Sequence, residues 1–225
     1  MAKFIMKNGS FWISSATAPT AVAVTAATKG STTQLTVTNT AAVGDIVIVT
    51  GSGWPSLDGK PGRVTVASGT AVTVAVDTAA ETAAFSTAKG KAQFWAAANW
   101  IEFCLSGLDI DSGTADSIAV GTFCDAGAAL AGASSNGTVN ITGFIDITDP
   151  GYQALLAASA DGVPRNFKLV LPKAANSSAT DANGGVFYFL NATVGAVSQS
   201  YQVGQAASFT SSLVLSAKPV FVPAV

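Results

Sequence analysis

Asp109 and Asp111, in the run Gly107-Leu108-Asp109-Ile110-Asp111-Ser112-Gly113, are the closest pair of carboxylates in the chain. Alternating aspartates open many calcium loops, but such a loop also needs a glycine and a distal glutamate at fixed spacing, and both are missing here. A carboxylate pair can also hydrolyse glycosides, yet no cluster of Trp, Tyr, Arg and His surrounds this one to hold a sugar. Histidine is absent from all 225 residues, which removes Ser-His-Asp and Cys-His catalysis and every His-based zinc site. Cys104 and Cys124 are too few for a four-thiolate centre. They read as half-buried free thiols acting as small hydrophobes, with a single disulfide as the other reading. Gly51, Gly53 and Gly59 make no phosphate loop, because no Lys-Ser/Thr follows them and no helix opens there. The residues therefore predict no catalytic, cofactor or metal site, and a protein whose work is its shape.

The elements that would carry such a shape are strands. Charged residues make up 11% of the chain and apolar ones 49%, with a mean hydropathy of +0.44. Every apolar run is cut within a few residues by Thr, Ser, Asp, Asn or Gly, so none reaches the ~20 residues of a spanning helix. Membrane insertion is not expected. The start, Met1 to Lys7, breaks at Asn8-Gly9 before a secretory apolar region could form, which predicts folding in a cytoplasm.

Lys3 to Ser14 reads as a strand around a turn at Asn8-Gly9. From Val22 to about Phe85 the composition is nearly pure Thr, Val, Ala and Gly in short alternating runs. Turn signals at Lys29-Gly30, Val43-Gly44-Asp45, Leu57 to Gly62 and Ser68-Gly69-Thr70 separate five or six strands. That pattern predicts a small β-barrel or β-sandwich, with Ser86 to Lys91 as an exit linker. The remainder predicts strands at Trp100–Leu105, Ser117–Phe123, Val139–Ile147, Phe167–Leu171, Val186–Val194 and Phe209–Leu215. One helix interrupts them. Asp149 caps it, Pro150 occupies its first position and Asp161-Gly162 ends it, with Tyr152, Leu155, Leu156 and Ser159 on one face.

Charge is segregated along the chain. Residues 1–91 carry seven Lys/Arg against four Asp/Glu, a balance of +3. Residues 92–164 carry eight acids and no base, a balance of −8. Residues 165–225 return to +3, and the whole chain is −2. Nucleic-acid binding through a basic face is not expected. Complementary blocks suit an oligomer, where they orient neighbouring subunits, and a solvated acidic face is the plainer reading.

From residue 91 onward the order of the motifs resembles a known family. Asn136-Gly137-Thr138-Val139-Asn140-Ile141-Thr142-Gly143-Phe144 is followed by Asp149-Pro150-Gly151-Tyr152-Gln153-Ala154-Leu155-Leu156. Then come Arg165-Asn166-Phe167-Lys168-Leu169-Val170-Leu171-Pro172, the aromatic run Phe187-Tyr188-Phe189-Leu190, and Phe209 to Pro219. This layout is similar to the major tail tube protein of long, non-contractile-tailed bacteriophages, and residues 3–14 resemble that family's first strand. The resemblance implies a mainly β fold, with an antiparallel β-sandwich or barrel core and one α-helix over residues 1–16 and 89–225. Residues 17–88 would form a small all-β insertion domain.

It also implies a structural virion protein that self-assembles into stacked hexameric rings, forming a hollow tail tube. Its partners would be further copies of itself and the tail terminator, baseplate or tip, and tape measure proteins. Genomic DNA would pass through without specific binding. The protein would sit in the virion tail, after assembly in the host cytoplasm. Within such a ring Asp109, Asp111, Asp116 and Asp125 are assigned to the subunit interface, with Arg165 and Lys168 as their partners. The competing reading is a β-sandwich protein that decorates a capsid or adheres to a surface.

Overall fold

Alternation of Phe11 and Ile13 with Trp12 and Ser14 gives strand β1 (Ser10–Ser14) one face for each of two cores. In the computed structural model the described residues are 9–111, 115–122, 125–134, 136–173 and 183–224. Residues 1–8, on which the first half of the expected opening strand falls, lie outside them.

The chain leaves β1 to build a seven-stranded antiparallel sheet before returning. Its strands are β2 (Val22–Ala23), β3 (Ala26–Thr28), β4 (Thr33–Thr36), β5 (Ile46–Thr50), β6 (Pro61–Ser68), β7 (Ala71–Val74) and β8 (Lys91–Trp95), in the order β2-β8-β5-β6-β7-β4-β3. The two ends of this order are successive pieces of one stretch. Val24 N–H donates to Gly90 O and Thr25 N–H to Thr36 O, so the stretch bridges β8 and β4 and closes a barrel. Closure removes the open edges that a free sheet would expose. Val24, Leu35, Val47, Val49, Trp54, Leu57, Val64, Val72 and Val74 fill it.

The expected exit linker is different from what the chain does there. Residues 86–89 form a turn, closed by Gly90 N–H donating to Ser86 O, and the chain then enters β8 at Lys91 as the last barrel strand. Lys89-Gly90-Lys91 has the composition of a linker, and only its pairing with β5 makes β8 a strand.

A 3₁₀ turn (Ala97–Asn99) leads into the main sheet. Its strands are β9 (Trp100–Phe103), β10 (Gly107–Asp111), β13 (Thr138–Phe144), β14 (Arg165–Pro172), β15 (Asn183–Val194) and β17 (Ser208–Val214), together with β1. They run β10-β13-β17-β15-β14-β1-β9, all antiparallel, with β16 (Ser198–Ser200) beside β17 and β18 (Val220–Val222) beside β15. β11 (Ala115–Thr122) and β12 (Asp125–Ser134), between β10 and β13 in the chain, pair antiparallel as a separate two-stranded sheet. β12 was not expected, because its Ala/Gly sequence shows no alternation.

The main sheet folds over on itself along β15. Opposite Arg165 and Phe167 on β14 stand Ala192 and Phe189, so β15 holds one extra residue there. The bulge places Asn191 at φ 50°, and beyond it Thr193 and Val194 pair with β17 instead. Bulges bend strands in this way. The enclosed core includes Phe11, Phe103, Phe167, Phe189, Phe209, Ile141 and Leu213, with Phe11 edge-on to Phe103 at 5.2 Å.

Helix α1 (Pro150–Asp161) closes this core. Asp149 Oδ1 accepts from Gly151 N–H at 2.8 Å, and Gly162 ends the helix at φ 65°, its N–H donating to Ala158 O. Both signals sit where the sequence puts them. The fully covered face is Gly151, Tyr152, Leu155 and Ala158, while Leu156 and Ser159 are half-buried. The small Ala158 sits deeper than Ser159, whose hydroxyl instead donates to Gly195 O at 2.9 Å.

The opposite face of β9, β1, β14 and β15 lies against the barrel. There Ile46, Ile48 and Trp95 pack on Trp100, Tyr188 and Leu190 in a third apolar cluster.

Candidate functional site

β10, β13 and β17 turn Leu108, Ile110, Val139, Ile141, Phe209 and Leu213 inward. Period-two geometry then sends the intervening residues outward. Across these strands Asp109 stands opposite Asn140 and Asn140 opposite Ser212, while Asp111 stands opposite Thr138 and Thr138 opposite Val214. Thr142 and Thr210 make a third cross-strand pair. None of the three strands contains Lys or Arg, so this face carries only negative formal charge, with the exposed side chains of Val214 and Phe144 among its polar residues.

Asp109 and Asp111 are exposed there, on β10, which pairs with β13 and ends the sheet order. Asp116 falls on β11 and Asp125 begins β12, and their side chains are outside the described residues. At the other end of the order, β9 pairs only with β1 among the described strands.

The two cations assigned to the same interface lie elsewhere. β17, β13 and β15 separate β14 from β10. Arg165 is 4% exposed, its Nη2 donating to Asp161 Oδ2 at 2.5 Å and its Nη1 to Val163 O at 3.0 Å. The backbone N–H of Val163, more than the guanidinium, holds the Asp161 carboxyl below its ordinary range. Lys168 is half-buried on the barrel-facing side, its Nζ 4.7 Å from the Trp12 ring centre and 4.6 Å from that of Trp100. Burial pushes its ammonium down to about 8, with the Glu102 carboxylate pulling the other way. Burial likewise drives the Tyr188 phenol up, opposed by Arg63. Two indole faces favour a cation, and register alone brings them there: Trp12 is the cross-strand partner of both Lys168 and Glu102. No local sequence signal announces that arrangement.

Among the described residues no three His, Cys, Asp or Glu side chains gather to hold a metal ion, and no helix is long and apolar enough to cross a membrane. Cys104 is a free thiol and is exposed rather than half-buried, because it follows β9 at the rim of the sheet. Cys124 lies outside the described residues.

No protein-family model matches the chain, and no curated protein matches it. Parts of it overlay on solved structures. The cryo-EM structure of the anti-feeding prophage cap, a tube-terminating cap, matches at TM-score 0.43 and 11% identity, over 55% of this chain and 83% of that one. The crystal structure of Hcp protein matches at TM-score 0.37 and 8% identity, over 57% of this chain and 81% of that one. Overlays this loose carry no functional argument.

Proposed function

We propose that the chain is a structural subunit of a phage tail tube, joining copies of itself into stacked hexameric rings. The observation that carries this reading is the main sheet, which among the described strands ends at β10 on one side and β9 on the other. The end strands of a sheet are templates for a further strand, and a head-to-tail interface repeated by rotation closes a ring. The order of sequence motifs from residue 91 onward supports the same reading. Residues 1–16 and the chain from the 3₁₀ turn onward are then the tube core, and the barrel is an insertion between β1 and β9.

The barrel covers one face of the main sheet, which leaves the cation-free face of β10, β13 and β17 for the lumen. Phosphates slide past such a surface, whereas lysines and arginines would hold them. Asp109, Asp111, Asp116 and Asp125 belong on this reading to the lumen and the β10 edge. Tail terminator, tip and tape measure proteins would meet the ends and interior of the tube.

Negative-stain electron microscopy of the purified chain over a concentration series tests the proposal. Hollow tubes with a regular axial repeat are expected. Uniform small particles at every concentration, unchanged when tail tip complexes are added as initiators, would refute it and favour a decoration or adhesion protein.

A further inference from the structure

The core of the main sheet is open at one end. There Phe11, Leu108, Ile110, Leu169, Leu171 and Phe187 line a groove of about 610 Å³. Leu108, Ile110, Leu171 and Phe187 are only half-buried, although all four pack against the core. A second hollow of about 480 Å³ continues the first, sharing Glu102 and Phe103 to Leu105 with it and adding Phe144, Asp146 and Asp149. The combined groove has an apolar floor and three acids, and among the described residues no Lys or Arg lines it.

Two observations identify what covers it. The first is where the chain arrives. Gly9 and Ser10 line the groove, so the eight residues before Gly9 start at its rim. At about 3.3 Å per residue they can span about 26 Å. Asn8-Gly9 is a turn signal, and β1 already pairs with β14 on one side and β9 on the other. A chain that reverses at Asn8-Gly9 finds no free side of β1 and must leave across a face of the sheet. The barrel covers one face, and the groove opens on the other.

The second is composition. Met1, Phe4, Ile5 and Met6 supply apolar side chains, and Lys3 and Lys7 supply positive charge with no acid among residues 1–8. That is the complement of an apolar floor with acids beside it. Residues 174–182, which follow β14, contain no apolar side chain larger than alanine, and their one charged residue is Asp181. They match neither the floor nor the acids.

We infer that residues 1–8 of the same chain seat in this groove, with Phe4, Ile5 and Met6 on its floor and Lys3 and Lys7 beside its acids. Tethering at Gly9 gives the chain's own segment an effective concentration of about millimolar, so a second copy competes poorly in dilute solution. Residues of both β9 and β10 line the groove, so the seated segment is a strap between the two strands that end the sheet order. The inference does not rest on the tube reading. Tubes whose subunits leave the segment free would refute the strap alone, and monomers with a seated segment would refute the tube alone.

Methionine-methyl NMR on the full chain tests it, because Met1 and Met6 are its only methionines. The rings of Phe11, Phe103 and Phe187 in the groove are expected to shift the Met6 methyl signal away from the position of free methionine. Phe4→Asp, in the segment itself, is expected to return the signal to that position while the circular dichroism spectrum stays that of the parent. Phe4→Leu is expected to preserve the shift. Proteolytic cleavage after Lys7 is expected to be about tenfold slower in the parent than in Phe4→Asp. Leu108→Asp, at a half-buried position of the groove, serves as a second variant with the expectations of Phe4→Asp. A shift that survives dilution supports a seat for the same chain, and one lost on dilution overturns the inference in favour of a second copy. A Met6 methyl at the free position, or cleavage equally fast in the parent and Phe4→Asp, overturns the seat itself.

Discussion

Gly151 is the point where α1 touches the edge strand β9, and Gly151→Ala tests how tightly that contact is set. In an isolated helix alanine is better than glycine by about 1 kcal/mol, so propensity alone predicts stabilisation. The structure predicts the opposite. A Cβ at this position would lie inside van der Waals contact of Phe103 Cβ, 2.6 Å from Glu102 O and 2.8 Å from Phe103 Cα. Two of those neighbours are backbone atoms of β9, so rotamer changes cannot relieve the overlap and the helix must lift.

Lifting α1 loosens Tyr152 and Leu155, which are 2% and 0% exposed. Full burial of such side chains is worth about 1.5–3 kcal/mol each, and overpacking a core costs about 1–3 kcal/mol. Losing a third of the helix contact, and crediting the propensity gain, leaves a net destabilisation of about 2 kcal/mol. For a chain of this size that lowers Tm by about 4–8 °C. Urea unfolding followed by circular dichroism, alongside thermal melts, measures it. The control is Gly162→Ala, at φ 65° with nothing within 4 Å of the added atom, where backbone strain of about 1 kcal/mol is expected. A Gly151→Ala protein as stable as the parent would refute the close seating of α1 on β9.

Three further outcomes are expected. Lys168→Met removes a cation whose burial opposes folding: the parent's penalty is complete below pH about 8 and fades towards the ordinary lysine value of 10.5. Parent stability should therefore rise by about 1–2 kcal/mol relative to Lys168→Met between pH 7 and 10, after discount for solvent screening, as read from urea midpoints; parallel pH profiles would contradict the burial argument. Arg165→Met should cost about 1–2 kcal/mol, because Asp161 is 40% exposed and can rehydrate; unchanged stability with assembly lost would instead make Arg165 an interface residue. Asp109→Lys with Asp111→Lys should leave the circular dichroism melt within about 0.5 kcal/mol of the parent and reduce tube yield in electron microscopy, and undiminished yield would remove both residues from the assembly surface.

What the sequence made legible was local. The helix is written in Asp149-Pro150 and Gly162, and each signal acts within a few residues of itself. Val139 to Phe144 and Phe209 to Leu213 declare their strands by period two, and with them the outward placement of Asn140 and Ser212, whereas the strand that carries Asp109 is not among those the sequence predicts. Non-local features stayed hidden. Closure of the barrel depends on one short stretch pairing with both β8 and β4. The Trp12–Lys168–Trp100 stack depends on three strands arriving in register. Arg165 lies four residues from Asp161, a spacing visible in the sequence, but its burial needed the helix end and β14 to be placed first. The seam combines both problems, since Trp95, Asn166 and Asn191 come from three strands in two sheets.

The same seam determines how the barrel relates to the rest of the molecule. An inserted module joined only by its two chain crossings would keep its apolar residues in its own core. Here Ile46, Ile48 and Trp95 leave the barrel's outer surface to bury Trp100, Tyr188 and Leu190, all at most 8% exposed. Removing the barrel would uncover those three side chains together with Trp12 and the Lys168 stem, an apolar patch on the sheet that is proposed to form the ring. The barrel is therefore better regarded as the outer layer of the main sheet than as an ornament on it. Its orientation is fixed by packing rather than left to a linker, so a ring of subunits would present the barrels at regular positions.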